Sequence, residues 1–120
     1  MVTPIRSYRS YLNCSGLWGV LNNAGSRSRI GSPDWLTVDD YKKQCDVNLF
    51  GGIDVTLTFL PLVKKEKGRI VNTSSAMGRT ALAFGLTYAV SKYGVEAFTD
   101  GIRYDIANNV DTANEIGYLY

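Results

Sequence analysis

The stretch from Gly68 to Phe98, GRIVNTSSAMGRTALAFGLTYAVSKYGVEAF, constrains the fold more than any other part of the chain. Arg69 to Thr73 is a short, β-branched, mostly apolar run of the kind that forms a strand buried in a parallel sheet. It ends in Ser74 and Ser75. A Gly-containing loop follows, and from Tyr88 to Phe98 the spacing fits a helix, with Tyr88 and Lys92 four residues apart and so on one face. Ser75 precedes Tyr88 by 13 positions (88 − 75). A serine at the C-terminal end of a strand, facing a Tyr/Lys pair on the next helix, has the geometry of a site at the carboxyl edge of an α/β sheet.

At 120 residues the chain holds one domain at most. Its net charge of +2 comes from basic residues that are spread out, apart from Lys64, Lys65 and Lys67, so no nucleic-acid partner is expected. Those three lysines suit a helix C-terminus. The chain has no His, which excludes a His-containing metal site, and Cys14 and Cys45 match no zinc or redox spacing. Both read as free thiols.

Residues 1–16 lack acids and contain Arg6 and Arg9, a faint likeness to a transit peptide, but they have no apolar core suited to a secretory signal. The most apolar run, Ile53 to Val63, is 11 residues long with Asp54 and Pro61 inside it. That is short of the ~20 residues a bilayer requires, so no transmembrane segment is expected. Localisation stays open. Asn13-Cys14-Ser15 and Asn72-Thr73-Ser74 match the glycosylation acceptor pattern, the second inside the expected buried strand, and both read as chance matches.

In chain order, residues 1–16 show no period and are read as an irregular segment. Leu17 to Leu21 reads as a short buried strand, ended by Asn22, Asn23, Ala24 and Gly25 in a turn. Ser26 to Pro33 is polar and loop-like. Thr37 fits an N-cap, with Asp39 and Asp40 in the first turn. The helix it opens is expected over 37–67, bent or tightened around Pro61, with Gly68 terminating it. After the strand at 69–73, a second helix is expected over 88–107, and from Asn108 to Tyr120 the pattern dissolves into an irregular tail. The order β, α, β, α with helical crossovers favours parallel pairing.

With these residues placed, the chain resembles a short-chain dehydrogenase/reductase over roughly Gly16 to Ile106. The resemblance rests on NNAG at 22–25, VNLFG at 47–51, the strand ending in Ser74-Ser75, and Y-x-x-x-K at Tyr88 and Lys92, in that order. A lone Y-x-x-x-K is weak. Singly, Tyr88 and Lys92 would pass for a helix-surface pair, Ser75 for a strand end and Asn48 for a solvated polar residue; the joint order makes the signal specific. The flanking text is most similar to the branch holding retinol, hydroxysteroid and 3-hydroxybutyrate dehydrogenases.

The resemblance implies an α/β fold: a partial Rossmann-like, doubly wound parallel sheet over 17–107, truncated at both ends. It implies an NAD(P)-dependent oxidoreductase moving hydride between the cofactor and a lipophilic alcohol or ketone, retinol- or steroid-like. In that family Tyr88 would be the general acid/base, with the positive charge of Lys92 one turn away favouring the phenolate. Lys92 would also bind the nicotinamide ribose. Ser75 would hydrogen-bond the substrate oxygen, and Asn48 would hold a water of the proton relay at a local distortion of the long helix. Asn22, Ala24 and Gly25 would pack against the cofactor, NAD or NADP, and brace the sheet. A homodimer through helices 37–67 and 88–107 is implied as well, and full-length relatives often reside in the endoplasmic reticulum or mitochondria.

Where the family opens with a strand and the turn T-G-x-x-x-G-x-G, nothing before Leu17 is similar. Weak dinucleotide binding by this chain is therefore expected. The strands corresponding to the family's fourth and fifth would both be sheet edges, and the isolated chain would be marginally stable. The alternative function is a catalytically incomplete segment acting only through dimerisation. An epimerase relative using the same Tyr/Lys pair is disfavoured by NNAG and by the placement of Asn48.

Overall fold

A computed structural model describes residues 15–109 and 116–119. Of the irregular N-terminal segment expected at 1–16, residues 1–14, Cys14 among them, lie outside the described residues. The central strand forms as the β-branched run demands: β2, Arg69–Thr73. Its parallel neighbour β1 is Gly19–Asn22, two residues later than its expected start, with Val20 opposite Ile70 and Asn22 opposite Asn72.

The tail departs from expectation. Ile116–Leu119 forms a third parallel strand, β3, on the far side of β2, with Ile70 opposite Ile116 and Asn72 opposite Tyr118. The sheet order is thus β1-β2-β3, and β2 is a central strand rather than an edge. Burial alternates along both strands: Ile70 and Asn72, with Val20 and Asn22 opposite them, lie on the better-covered face, while Leu21 on the other face stays exposed. β1 is not the buried strand its apolar sequence indicated.

The first helical crossover has three parts, α1 (Val38–Cys45), a π-helical turn (Asp46–Phe50) and α2 (Gly51–Lys65); the second is α3, Leu86–Asn109. Right-handed crossovers stepping one way across a parallel sheet bring both helices to one face. There Val63 of α2, Ile70 of β2, and Ile102 and Ile106 of α3 form the apolar core, with Leu17, Val20, Leu60 and Phe98 against it. Full burial of a side chain such as Ile70 contributes about 1.5–3 kcal/mol. Nearer the carboxyl ends of the strands the filling turns polar. Asn22 Nδ2 donates to Asn72 Oδ1 (2.7 Å) and to Thr56 Oγ1 (2.8 Å), and Asn72 Nδ2 donates to Thr99 Oγ1 (2.8 Å).

The helix starts as the sequence indicates. The Asp40 carboxylate accepts hydrogen bonds from the backbone N–H of Thr37 (2.8 Å) and from its hydroxyl (2.9 Å). Those bonds, the backbone one foremost, hold its pKa below the usual carboxylate value. The stop differs. Lys67, not Gly68, takes the left-handed conformation (φ 50°), while a Cβ on Gly68 would lie 2.4 Å from the Trp18 carbonyl oxygen. Glycine is needed there for close backbone approach between the helix exit and the lead into β1, not for a turn.

The composite helix Val38–Lys65 spans 28 residues, and its most apolar window has a mean hydropathy of 1.3, enough by length and composition to cross a membrane. The 11-residue run counted in the sequence therefore understated it. This helix nonetheless packs on β1 and β2 and carries the buried polar groups Gln44, Asn48, Thr56 and Thr58. Asn72, in the second glycosylation acceptor pattern, is buried in β2.

Candidate active site

At the carboxyl edge of the sheet, the ends of β1 and β2 meet the π-helical turn and the first half of α3. A π-turn inserts one residue into the helical ladder and re-aims the side chains it carries. Here the Gly51 N–H reaches back to the Asp46 carbonyl, and Asn48 inside the turn is 5% exposed. Its Oδ1 accepts from the Ser26 N–H (2.8 Å), and its Nδ2 donates to the Ser26 carbonyl (3.0 Å) and to Ser91 Oγ (3.1 Å). The Ser91 hydroxyl donates to the Tyr88 carbonyl (2.7 Å). Asn48 thus ties the loop after NNAG to the turn of α3 that bears Tyr88.

Lys92 is 4% exposed, and its Nζ donates to the Thr73 carbonyl at the end of β2 (2.7 Å). The same Nζ lies 5.7 Å from the centre of the Tyr88 ring, and the Arg27 guanidinium lies 5.1 Å from that ring. A Cβ on Gly25 would stand 3.7 Å from Asn48 Oδ1 and 3.9 Å from Lys92 Nζ. Gly25, Asn48, Tyr88 and Lys92 are therefore one cluster. Ser75 sits two residues beyond Thr73, and its Oγ accepts from the Met77 N–H (3.2 Å) in the short turn Ala76–Gly78. Asn22 points away from the cluster into the polar core, bracing β1 on β2, while Ala24 is exposed at the rim. A cavity of about 340 Å³ opens beside the cluster, touching Ala24, Val47, Asn48 and Thr73 but not Tyr88, Lys92 or Ser75.

Three residues escaped the sequence reading. Gln44 is fully buried; its Nε2 donates to the Ser26 carbonyl (2.7 Å) and its Oε1 accepts from the Ser28 N–H (2.7 Å), doubling the grip of Asn48 on the loop. Ser91 forms the link to α3 just described. Glu96 binds Ser74 and Arg79. The four-residue steps 44/48 and 88/92/96 were the available signal. Among the described residues no group of His, Cys, Asp or Glu could hold a metal ion.

Residues 9–116 match the family model of short chain dehydrogenases. The chain is 47% identical over 107 residues to retinol dehydrogenase 16 of Mus musculus, covering 89% of this chain and 33% of that protein. It is 55% identical to dehydrogenase/reductase SDR family member 9 of Bos taurus (76% and 28% covered) and 52% identical to bovine 17-beta-hydroxysteroid dehydrogenase type 6 (76% and 28%). Among solved structures, a short chain dehydrogenase from Salmonella enterica superposes with a TM-score of 0.87 at 27% identity, covering 98% of this chain and 49% of that one. Serine dehydrogenase in its closed form with NADP+ gives 0.84 at 25% identity, over 95% and 46%. A parallel sheet with helical crossovers and a site at its carboxyl edge defines a Rossmann-type oxidoreductase fold, present here in part. The chain belongs to the short-chain dehydrogenase/reductase family, whose cofactor is NAD(P); it spans a third or less of the length of the three named dehydrogenase relatives and just under half of the two solved structures.

Proposed function

We propose that this chain carries the proton-transfer group of an NAD(P)-dependent oxidoreductase acting on a lipophilic alcohol or ketone of the retinol or steroid kind. The observation that carries the reading is the convergence of Tyr88, Lys92, Asn48 and Gly25 at the carboxyl edge of the sheet, with Lys92 Nζ anchored on the end of β2. The names of the relatives, retinol dehydrogenase and hydroxysteroid dehydrogenase, support the substrate class.

In this reading Tyr88 takes the proton of the substrate hydroxyl during oxidation and returns it to the carbonyl oxygen during reduction. Lys92 offers a buried positive charge beside the ring, which favours the phenolate. The Ser75 hydroxyl donates to the substrate oxygen, and Asn48 holds the loop that shapes the relay. Nicotinamide, when bound, supplies or accepts the hydride. The residues present fit its ribose end: Lys92 Nζ, beside the side-chain-free Gly25, is a donor that would hold the ribose hydroxyls. No T-G-x-x-x-G-x-G turn occurs in this sequence to cradle the pyrophosphate, so the chain by itself binds the dinucleotide weakly.

The test is a graft of this chain over the matching 107 residues of the mouse retinol dehydrogenase. The graft turns over retinol with the cofactor, and Tyr88→Phe in it does not. A graft that folds and binds cofactor yet is inactive overturns the proposal.

A second reading, a segment acting through dimerisation, draws on the exposed apolar side chains of the same helices: Val47, Phe50 and Leu57 on the first crossover, Val90 and Tyr93 on α3. Sedimentation equilibrium showing only monomer at the highest soluble concentration removes it.

A further inference from the structure

Glu96 lies on α3, one turn beyond Lys92 and two beyond Tyr88, so the three share a helical face. It is 5% exposed, and a carboxylate so placed must be paired. Both its oxygens are engaged. Oε1 accepts the hydroxyl proton of Ser74, itself 5% exposed, and Oε2 lies 2.7 Å from the Arg79 guanidinium. The turn Ala76–Gly78 is seated on this pair: a Cβ on Gly78 would fall 2.7 Å from Ser74 Oγ and 3.0 Å from Glu96 Cγ. Ser75 stands between these two anchored points. Its Oγ accepts from the Met77 N–H and its carbonyl accepts from the Gly78 N–H (2.7 Å).

The donor set explains the residue type. Arg79 can only donate, so an oxygen must face it, and a carboxylate has a second, charged oxygen for the Ser74 hydroxyl; an amide would have to meet that hydroxyl with its NH2 and would lose the charge pairing with Arg79. We propose that Glu96 is a positioning residue. It clamps the Ser74–Gly78 turn to the Tyr88/Lys92 face of α3 and so fixes the Ser75 hydroxyl relative to the tyrosine. The consequence for catalysis rests on the reading of Ser75, Tyr88 and Lys92 given above.

Amide hydrogen exchange on the 120-residue chain tests the clamp directly. In Glu96→Gln, exchange at Met77 and Gly78 rises by about tenfold or more while the β1 amides keep their protection, since only local opening is affected. Arg79→Met, a change at a half-exposed side chain, loosens the same turn. Adding Arg79→Glu to Glu96→Gln gives the amide an acceptor to face and restores protection of the turn. Unchanged exchange at Met77 and Gly78, or an equal rise at β1, overturns the clamp. In the active graft, Glu96→Gln lowers kcat about tenfold at unchanged KM for the cofactor. A loosened turn with undiminished kcat sinks the positioning claim and leaves the role of Tyr88 standing, whereas an active Tyr88→Phe graft sinks the underlying reading instead.

Discussion

Asn48 Nδ2 reaches the Ser91 hydroxyl at 3.1 Å, joining the π-turn of the first crossover to α3 across 43 residues of sequence. With Gln44 it also holds both backbone groups of Ser26, the first residue after NNAG. The site is thus assembled by helix side chains gripping a loop, not by the loop itself.

Asn48→Ala should cost on the order of 1–3 kcal/mol, because it strips partners from buried donors and acceptors at once. Urea unfolding of the variant measures this through a lowered midpoint at constant slope. Ser91→Ala, which removes the link to α3 but leaves both bonds of Asn48 to Ser26, should cost less. Equal effects of the two would show that the loop grip contributes nothing beyond the Ser91 bond.

Gly68→Ala should be more damaging than its chemistry implies. The added Cβ would meet the Trp18 and Leu17 carbonyl oxygens at 2.4 and 2.7 Å, so the helix exit and the lead into β1 must part. A loss of about 1–3 kcal/mol or more is expected. Lys67→Gly, which relieves a left-handed non-glycine residue, should stabilise modestly. A neutral Gly68→Ala would refute the close approach.

Burial pushes the Cys45 thiol above its ordinary 9.0, and Asp46 beside it adds to the shift. The folded chain therefore holds this proton more tightly than the unfolded one. That contribution to stability is fully present below the unfolded value and is lost as pH rises through the folded one. Thermal unfolding followed from neutral pH into the alkaline range should fall more steeply for the native sequence than for Cys45→Ala. Parallel curves would contradict it.

Asp40 gives the opposite sign. The hydrogen bonds from Thr37 hold its pKa below 3.8, so its contribution is present above that value and disappears as pH falls through the lower folded one. Asp40→Asn should remove this acid-side slope, read as a smaller drop in melting temperature between weakly and strongly acidic buffer. A slope unchanged by the substitution would show that the cap bonds do not persist in solution.

The parts legible in the sequence were those with a strong local period or cap: β2 from its β-branched run, the first helix from Thr37 and Asp40, and α3 from the Tyr88/Lys92 spacing. β3 was not legible, because IGYL is four residues with a glycine inside and becomes a strand through pairing with Ile70 to Thr73, a long-range event no local pattern records. Likewise Gln44, Ser91 and Glu96 are residue types that ordinarily face water on helices. Their burial follows from what the loop and the turn bring to them. The expected distortion of the long helix at Asn48 is present as the π-turn. The expected glycine stop was not borne out: Lys67 takes the left-handed position, and Gly68 is required by the close approach of the Trp18 carbonyl.

The central claim is that Tyr88 moves the proton in this site. The steady-state rate of the Tyr88→Phe graft against its parent, at saturating cofactor, tests it most directly. The account predicts a loss of about 10²–10⁴ in kcat, the worth of a positioned acid/base group, with cofactor binding retained. Turnover within tenfold of the parent would contradict it.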